Sequence, residues 1–157
     1  MRKNIPGKNN RKRRIYRSKI PELPCLCCGV CCSKYQPQLN STEAHTLADN
    51  LGINWESFLA DYIDSRWPGT QTYLLLQVNG TCIFLRSQVD QKQKLCSIHR
   101  IKPSCCLKWR QGLERPECLE GLKKVWDLTL DSAGNICGHR ENIEAFKRFI
   151  QDRKNLT

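Results

Sequence analysis

No stretch of this 157-residue sequence approaches the run of about 18 apolar residues that a membrane-spanning helix needs. Residues 1 to 20 also hold no apolar segment of signal-peptide length. The expected setting is therefore soluble and cytoplasmic, with no membrane span, where thiols stay reduced. Also missing are a glycine-rich nucleotide loop, a Ser-His-Asp arrangement and a paired acidic motif, which removes the usual marks of phosphate-binding and hydrolytic enzymes. No internal repeat is evident. Acidic residues are scarcest at one end: before residue 25, Glu22 alone opposes Arg2, Lys3, Lys8, Arg11, Lys12, Arg13, Arg14, Arg17 and Lys19.

That imbalance accounts for most of the net charge of +11. Residues 1 to 22 combine it with Asn, Gly and Pro and with no apolar periodicity, and read as a disordered basic arm ahead of a single domain over 23–157. Such an arm suits the phosphates of nucleic acid or another acidic partner. Only Tyr16 stands near the Arg11 to Arg14 run as a stacking residue, so specific single-strand recognition is not supported, and a solubilising tail is the plainer reading.

What the chain has in excess is cysteine. Eleven thiols in 157 residues fall just below the share of roughly 8 to 10% that marks short secreted disulfide scaffolds, and in a reducing compartment clustered cysteines more often bind metal. Five lie in Cys25-Leu26-Cys27-Cys28-Gly29-Val30-Cys31-Cys32. The repeated gap of Cys25-x2-Cys28-x2-Cys31 lets successive thiolates converge while the backbone turns around an ion. Gly29 sits inside that turn, where a missing Cβ permits positive φ or close approach.

The fold class expected is α+β: a small, cysteine-rich, metal-bound domain, mostly helical, with a short antiparallel hairpin or three-stranded sheet. Ser41 or Thr42 is the expected cap of a helix carrying Ala44, Leu47, Ala48 and Leu51 and ending at Gly52. Asn54 caps a second helix whose stripe of Trp55, Phe58, Leu59 and Tyr62 is assigned to the core, with His45 on a solvated face. Tyr73 to Val78 reads as a strand turning at Asn79-Gly80 into Thr81 to Leu85, and Leu95 to Ile98 as a third strand. Alternation would then point Cys82 with Phe84 and Cys96 with Ile98, so that two neighbouring strands deliver cysteines to one site. In the C-terminal helical part, 114–155, Pro116 opens a helix through Trp126, Asp131 to Gly134 turns, and a last helix from Glu141 to Arg153 buries Ile143, Phe146, Phe149 and Ile150.

Four elements in order, Cys25-x2-Cys28-Gly29-x-Cys31-Cys32, Cys82-Ile83-Phe84-Leu85, Cys96-Ser97-Ile98-His99 and Lys102-Pro103-x2-Cys105, resemble the YkgJ-like zinc- or iron-chelating family known by its CxxCxxCC motif. The resemblance spans residues 25–106 and implies metal ligands at Cys25, Cys28, Cys31, Cys32, Cys82, Cys96 and Cys105. The chain departs from the pattern at His99, where a tyrosine is usual, at Lys102-Pro103 in place of Arg-Pro, and at Cys106 in place of an arginine. Flagellin lysine methylases carry a similar cysteine domain, but no methyl-donor site is evident here.

Seven cysteines exceed the four ligands of one tetrahedral zinc. Either two ions share them, or one Fe-S cluster takes Cys25, Cys28, Cys31 and a distant fourth such as Cys105, the first three gaps resembling the start of a bacterial ferredoxin run. The cofactor is thus an Fe-S cluster or a zinc or iron ion. Neighbouring side chains diverge in extended chain, so one member of Cys31-Cys32 and of Cys105-Cys106 is expected outside the direct ligand set. Cys27 is read as a spare thiol, Cys118 as packing on its helix and His139 as solvated; Cys106 with Cys137 and His139 is a weaker candidate for a second zinc site. Three functions compete: a metal-chelating module closed by its ion, a redox or modifying enzyme built on a cluster, and a nucleic-acid-associated metal module resting on the arm.

Overall fold

The chain divides into two compact units, Cys25–Gln111 and Met1–Pro24 with Gly112–Thr157. The computed structural model describes residues 12–16, 19–20, 22–67, 69, 71–87 and 92–154.

In the unit 25–111, α1 (Val30–Lys34) follows the cysteine-rich loop, then β2 (Gln38–Asn40), α2 (Ser41–Leu51) and α3 (Trp55–Tyr62). Asn40 caps α2 in place of the expected Ser41 or Thr42: its side chain accepts from Glu43 N–H, and the Glu43 carboxylate accepts from Asn40 N–H. The reciprocal bonds of this capping box need the Glu three residues after the cap, and that spacing selects Asn40. Gly52, at φ 66°, ends α2, and the Asn54 side chain starts α3 by accepting from Ser57 N–H.

The strands are shorter than the apolar runs suggest. The expected Tyr73 to Val78 strand divides into β3 (Thr72–Leu74), paired with β2, and β4 (Gln77–Val78), paired with β5 (Thr81–Cys82) across Asn79-Gly80. Both turn residues have positive φ, as a two-residue hairpin requires. The chain turns again at Ile83-Phe84, so the expected Thr81 to Leu85 strand also breaks; β6 (Leu85–Ser87) then pairs with β7 (Lys94–Cys96). The third strand ends at Cys96 because Ser97 N–H and Oγ both turn back onto Phe84 O, at 2.8 and 3.1 Å. A turn interrupts each run, yet Cys82 and Phe84 still share one core with Ile98, and Cys96 packs against it, as expected.

The core of this unit gathers Leu39, Ala44, Leu47, Phe58, Ile63, Leu75, Cys82, Phe84 and Ile98. Phe58 is fully buried, and the aromatic stripe continues through space, Trp55 on Phe58, Phe58 on Tyr62 and Tyr62 on Phe84, at centroid separations of 5.9, 5.7 and 5.2 Å. Full burial of such a side chain stabilises by about 1.5–3 kcal/mol. His45 is exposed, as expected, and stacks on Trp55 at 3.8 Å.

The other unit corrects the reading of the basic arm. Lys12–Ile15 form β1, an edge strand of a sheet ordered β1-β9-β8, with β8 at Thr129–Leu130 and β9 at Ile136–His139. Pairing with β9 satisfies the β1 backbone and Ile15 is buried, while Lys12, Arg13 and Arg14 remain exposed. Charges on an edge strand are compatible with pairing on its other side, so charge density alone misleads here. Residues 1–11, 17, 18 and 21 of the expected arm lie outside the described residues. The three-stranded sheet thus arises from the arm and the C-terminal part, and α4 (Ser104–Lys108) belongs to the first unit.

Two helices complete the second unit. In α5 (Pro116–Trp126) proline takes the first position as expected, and α6 (Arg140–Lys154) buries Ile143, Phe146 and Ile150. Cys118 is buried on α5. Among the described residues no helix is long and apolar enough to cross a membrane.

Candidate metal centre

The loop Cys25–Gly29 is shaped by two left-handed residues, Cys27 at φ 53° and Gly29 at φ 73°, on either side of Cys28. Gly29 O then accepts from Ser33 N–H and Ser33 Oγ, at 3.0 and 2.8 Å, which starts α1. A Cβ at Gly29 would meet Lys94 Cδ at 2.8 Å and Leu85 Cδ2 at 2.9 Å, so the expected close approach is made to the β6–β7 pair. The loop is fastened to β7 by Lys94 N–H donating to Cys27 O at 2.6 Å. Cys96 stands two residues further along that strand.

Both adjacent cysteine pairs lie on short helices, Cys31-Cys32 in α1 and Cys105-Cys106 in α4. The divergence expected of extended chain is absent: Sγ–Sγ is 4.0 Å in each pair. The two helices share Cys-Cys-x-Lys-aromatic, and the closing aromatics, Tyr35 and Trp109, pack with ring centroids 4.9 Å apart. This five-residue similarity was legible in the sequence and is the local repeat that the search for a longer one misses.

Several sulfurs are supplied with amide donors. Cys25, Cys82 and Cys96 each interact with the backbone N–H two residues on, at Cys27, Phe84 and Ile98, and Cys105 with that of Gln38. Such bonds favour the thiolate. The Cys27 thiol bond first, then its amide and the Lys102 and His99 charges, lower Cys25 to about 5 against the effect of burial. A bond from the Cys106 thiol lowers Cys105 to about 7. The partners move the other way: Cys31 is raised by its bond with Cys32 and by burial, and Cys106 by its bond with Cys105 and by burial. Burial raises Cys82 and Cys96.

The thiols also raise one another's pKa through their mutual charge. Cys96 feels Cys25 and Cys31, and Cys31 feels Cys25. Cys82 feels Cys105, and Cys106 feels Cys105, Cys82 and Cys32. The thiols of the cysteine loop, the two hairpins and the two short helices thus act on one another electrostatically, Cys82 on both Cys96 and Cys105. Among the described residues no three His, Cys, Asp or Glu side chains already converge to hold an ion. The donor chemistry nevertheless fits a thiophilic cation. Thiolates at about 2.3 Å from a tetrahedral ion stand about 3.8 Å apart, close to the 4.0 Å of both pairs.

Sequence reading took Cys27 as spare and Glu43 as the acidic residue of a first helical turn, and gave Lys94 no role. Cys27 is buried and holds Cys25 as well as the β7 connection, rather than being spare. Glu43 Oε1 accepts from Ser104 N–H at 2.8 Å, which positions the start of α4. Cys137 and His139 lie on β9 of the other unit, Cys137 Sγ 3.6 Å from Thr129 Oγ1.

Residues 24–138 match the model of the CxxCxxCC family, described as a putative zinc- or iron-chelating domain. The chain belongs to that family. This CxxCxxCC protein therefore carries the metal-binding type of domain that the cysteine spacing implies. No curated protein and no solved structure matches the chain. A nucleic-acid partner gains no support, and two of the arm's cations already face carboxylates, Arg13 to Glu144 at 3.9 Å and Arg14 to Asp131 at 3.7 Å.

Proposed function

We propose that the protein chelates zinc or iron as a mononuclear thiolate centre whose first ligands are Cys25, Cys28, Cys31 and Cys96. The observation that carries this reading is the fastening of the cysteine loop to β7, the strand that ends in Cys96, through Lys94 N–H and Cys27 O. Cys96 is preferred to Cys105 as the fourth member of the quartet because its strand is bonded directly to the cysteine loop. When bound, the ion supplies a crosslink between loop and strand. The chain's own residues prepare for it: amides and cations favour the thiolate at Cys25, and Cys27 and Gly29 give the loop its curvature.

A second reading, an Fe-S cluster, is favoured by the ferredoxin-like gaps from Cys25 to Cys31. Metal and acid-labile sulfide analysis of anaerobically purified protein, with ultraviolet-visible and Mössbauer spectra, separates the two readings. Stoichiometric zinc in a colourless sample, or iron without sulfide, is the expected result; sulfide equimolar with iron would establish the cluster instead.

A further inference from the structure

The basic residues near the N-terminus take no part in the thiolate centre, and two of them, Arg14 and Lys19, help to line a cleft against the last two turns of α6. All of its lining belongs to the unit Met1–Pro24 with Gly112–Thr157, which holds none of the cysteines named as metal ligands. The cleft has a volume of about 330 Å³. That is the lower end of the range of about 300–1,000 Å³ usual for small-molecule sites.

Local structure builds it from two sides. Ile15 ends β1, and Lys19 N–H donates to Tyr16 O at 2.9 Å, a turn that returns Ile20 to the same cleft. On α6, Lys147, Ile150, Gln151 and Lys154 recur at three- and four-residue spacing and so share one face. Ile15, Ile20 and Ile150 are buried and form an apolar floor. Arg14, Lys19, Lys147 and Lys154 are exposed around it, and the lysines add aliphatic stems to the apolar lining. Among the described residues no carboxylate lines the cleft. Asp131 and Glu144, outside the lining, approach Arg14 and Lys147 at 3.7 and 3.3 Å.

We propose that this cleft binds a small amphipathic carboxylate, a molecule with a hydrocarbon body that lies on the isoleucine floor and one anionic head among the cations. The shape of the lining selects a single molecule over a lipid bilayer, because the isoleucines are recessed and a flat surface cannot reach them. Nucleic acid fits less well, since Tyr16 is the single aromatic ring of the lining and base stacking needs several. A singly charged head suits a rim whose Arg14 and Lys147 are already partly offset by Asp131 and Glu144. Its attraction acts at an exposed rim and therefore falls with salt.

The test is isothermal titration of the full, reduced, zinc-loaded chain with dodecanoate below its micelle concentration. Dodecyltrimethylammonium supplies the same body under a cationic head, and acetate supplies the head alone. Wild type should bind one dodecanoate saturably, more weakly as salt rises, and should bind either comparator at least about tenfold more weakly. Lys19→Glu combined with Lys154→Glu should weaken dodecanoate at least about tenfold, whereas Lys92→Glu, in the other unit, should leave it unchanged. Circular dichroism checks that the variants fold. If the double variant does not, amide shifts of the wild type on adding dodecanoate decide, and these should centre on Ile15, Ile20 and Ile150. No dodecanoate binding, equal affinity for the cationic amphiphile, unchanged affinity in a folded double variant or shifts elsewhere would each overturn the proposal. So would sedimentation with phosphatidylglycerol vesicles by a chain that does not bind monomeric dodecanoate, which would make this face a membrane contact instead.

Discussion

Glu43 bonds Ser104 across 61 residues of sequence: its Oε1 accepts from Ser104 N–H at 2.8 Å, while Oε2 accepts from Asn40 N–H at 3.0 Å. One carboxylate therefore completes the capping box of α2 and holds the first residue of the helix that carries Cys105 and Cys106. Glu43→Ala should cost about 1–2 kcal/mol, from a lost cap and a lost charge-assisted bond. Urea unfolding of the metal-free chain measures the effect; an unchanged midpoint would contradict the positioning role.

Gly29→Ala tests the loop. Its positive φ costs an L residue about 1–2 kcal/mol, and the added methyl must displace the ends of Lys94 and Leu85. We expect a lower urea midpoint and weaker binding of the ion. Gly52→Ala is the control: Gly52 has a similar φ but open space around the missing Cβ, so it should lose stability with little change in metal affinity.

Asp64 supplies a pH dependence. The buried carboxylate accepts from Arg66 Nε, Nη2 and N–H and from Gln36 Nε2, and the Arg66 bonds hold its pKa well below the usual carboxylate range. A folded pKa below the unfolded value gives stability that is fully present above the unfolded pKa and is lost as pH falls through the folded one. Wild type, chelated and reduced, should therefore lose stability as the pH drops below about 4. Asp64→Asn should start less stable at pH 7 and show a shallower loss over that range in urea melts. A parallel pH profile would exclude Asp64 as the source.

Removal of the ion should soften the unit it crosslinks. Metal affinity is coupled to folding when the ligands do not converge without it. Addition of a strong chelator to the loaded protein should lower the Tm, and hydrogen exchange should place the lost protection within residues 25–111, leaving the amides of α5 and α6 unchanged. An unchanged Tm and exchange pattern would show that the ion has no structural role.

Much of this was readable in the order of residues. Gly52 and Asn54 delimit α2 and α3 because an αL cap and an Asn side-chain cap are local devices. Pro116 marks the start of α5 for the same reason. The strands were less legible: Tyr73 to Val78 looks continuous, but β3 bonds to β2 and β4 to β5, a division set by partners distant in sequence. The basic arm illustrates the same limit, since four of its residues take extended form only by pairing with β9.

For the metal centre, sequence alone determined the family, the unusual density of thiols and the turn at Gly29, because ligand chemistry and backbone permissiveness belong to single residues and their spacing. Only tertiary structure decided which thiol-bearing segments meet. A hydrogen bond from Lys94 ties the cysteine loop to the strand of Cys96, and Glu43 holds the start of the helix that carries Cys105 and Cys106. Those groupings depend on contacts between segments tens of residues apart, and no spacing along the chain encodes them.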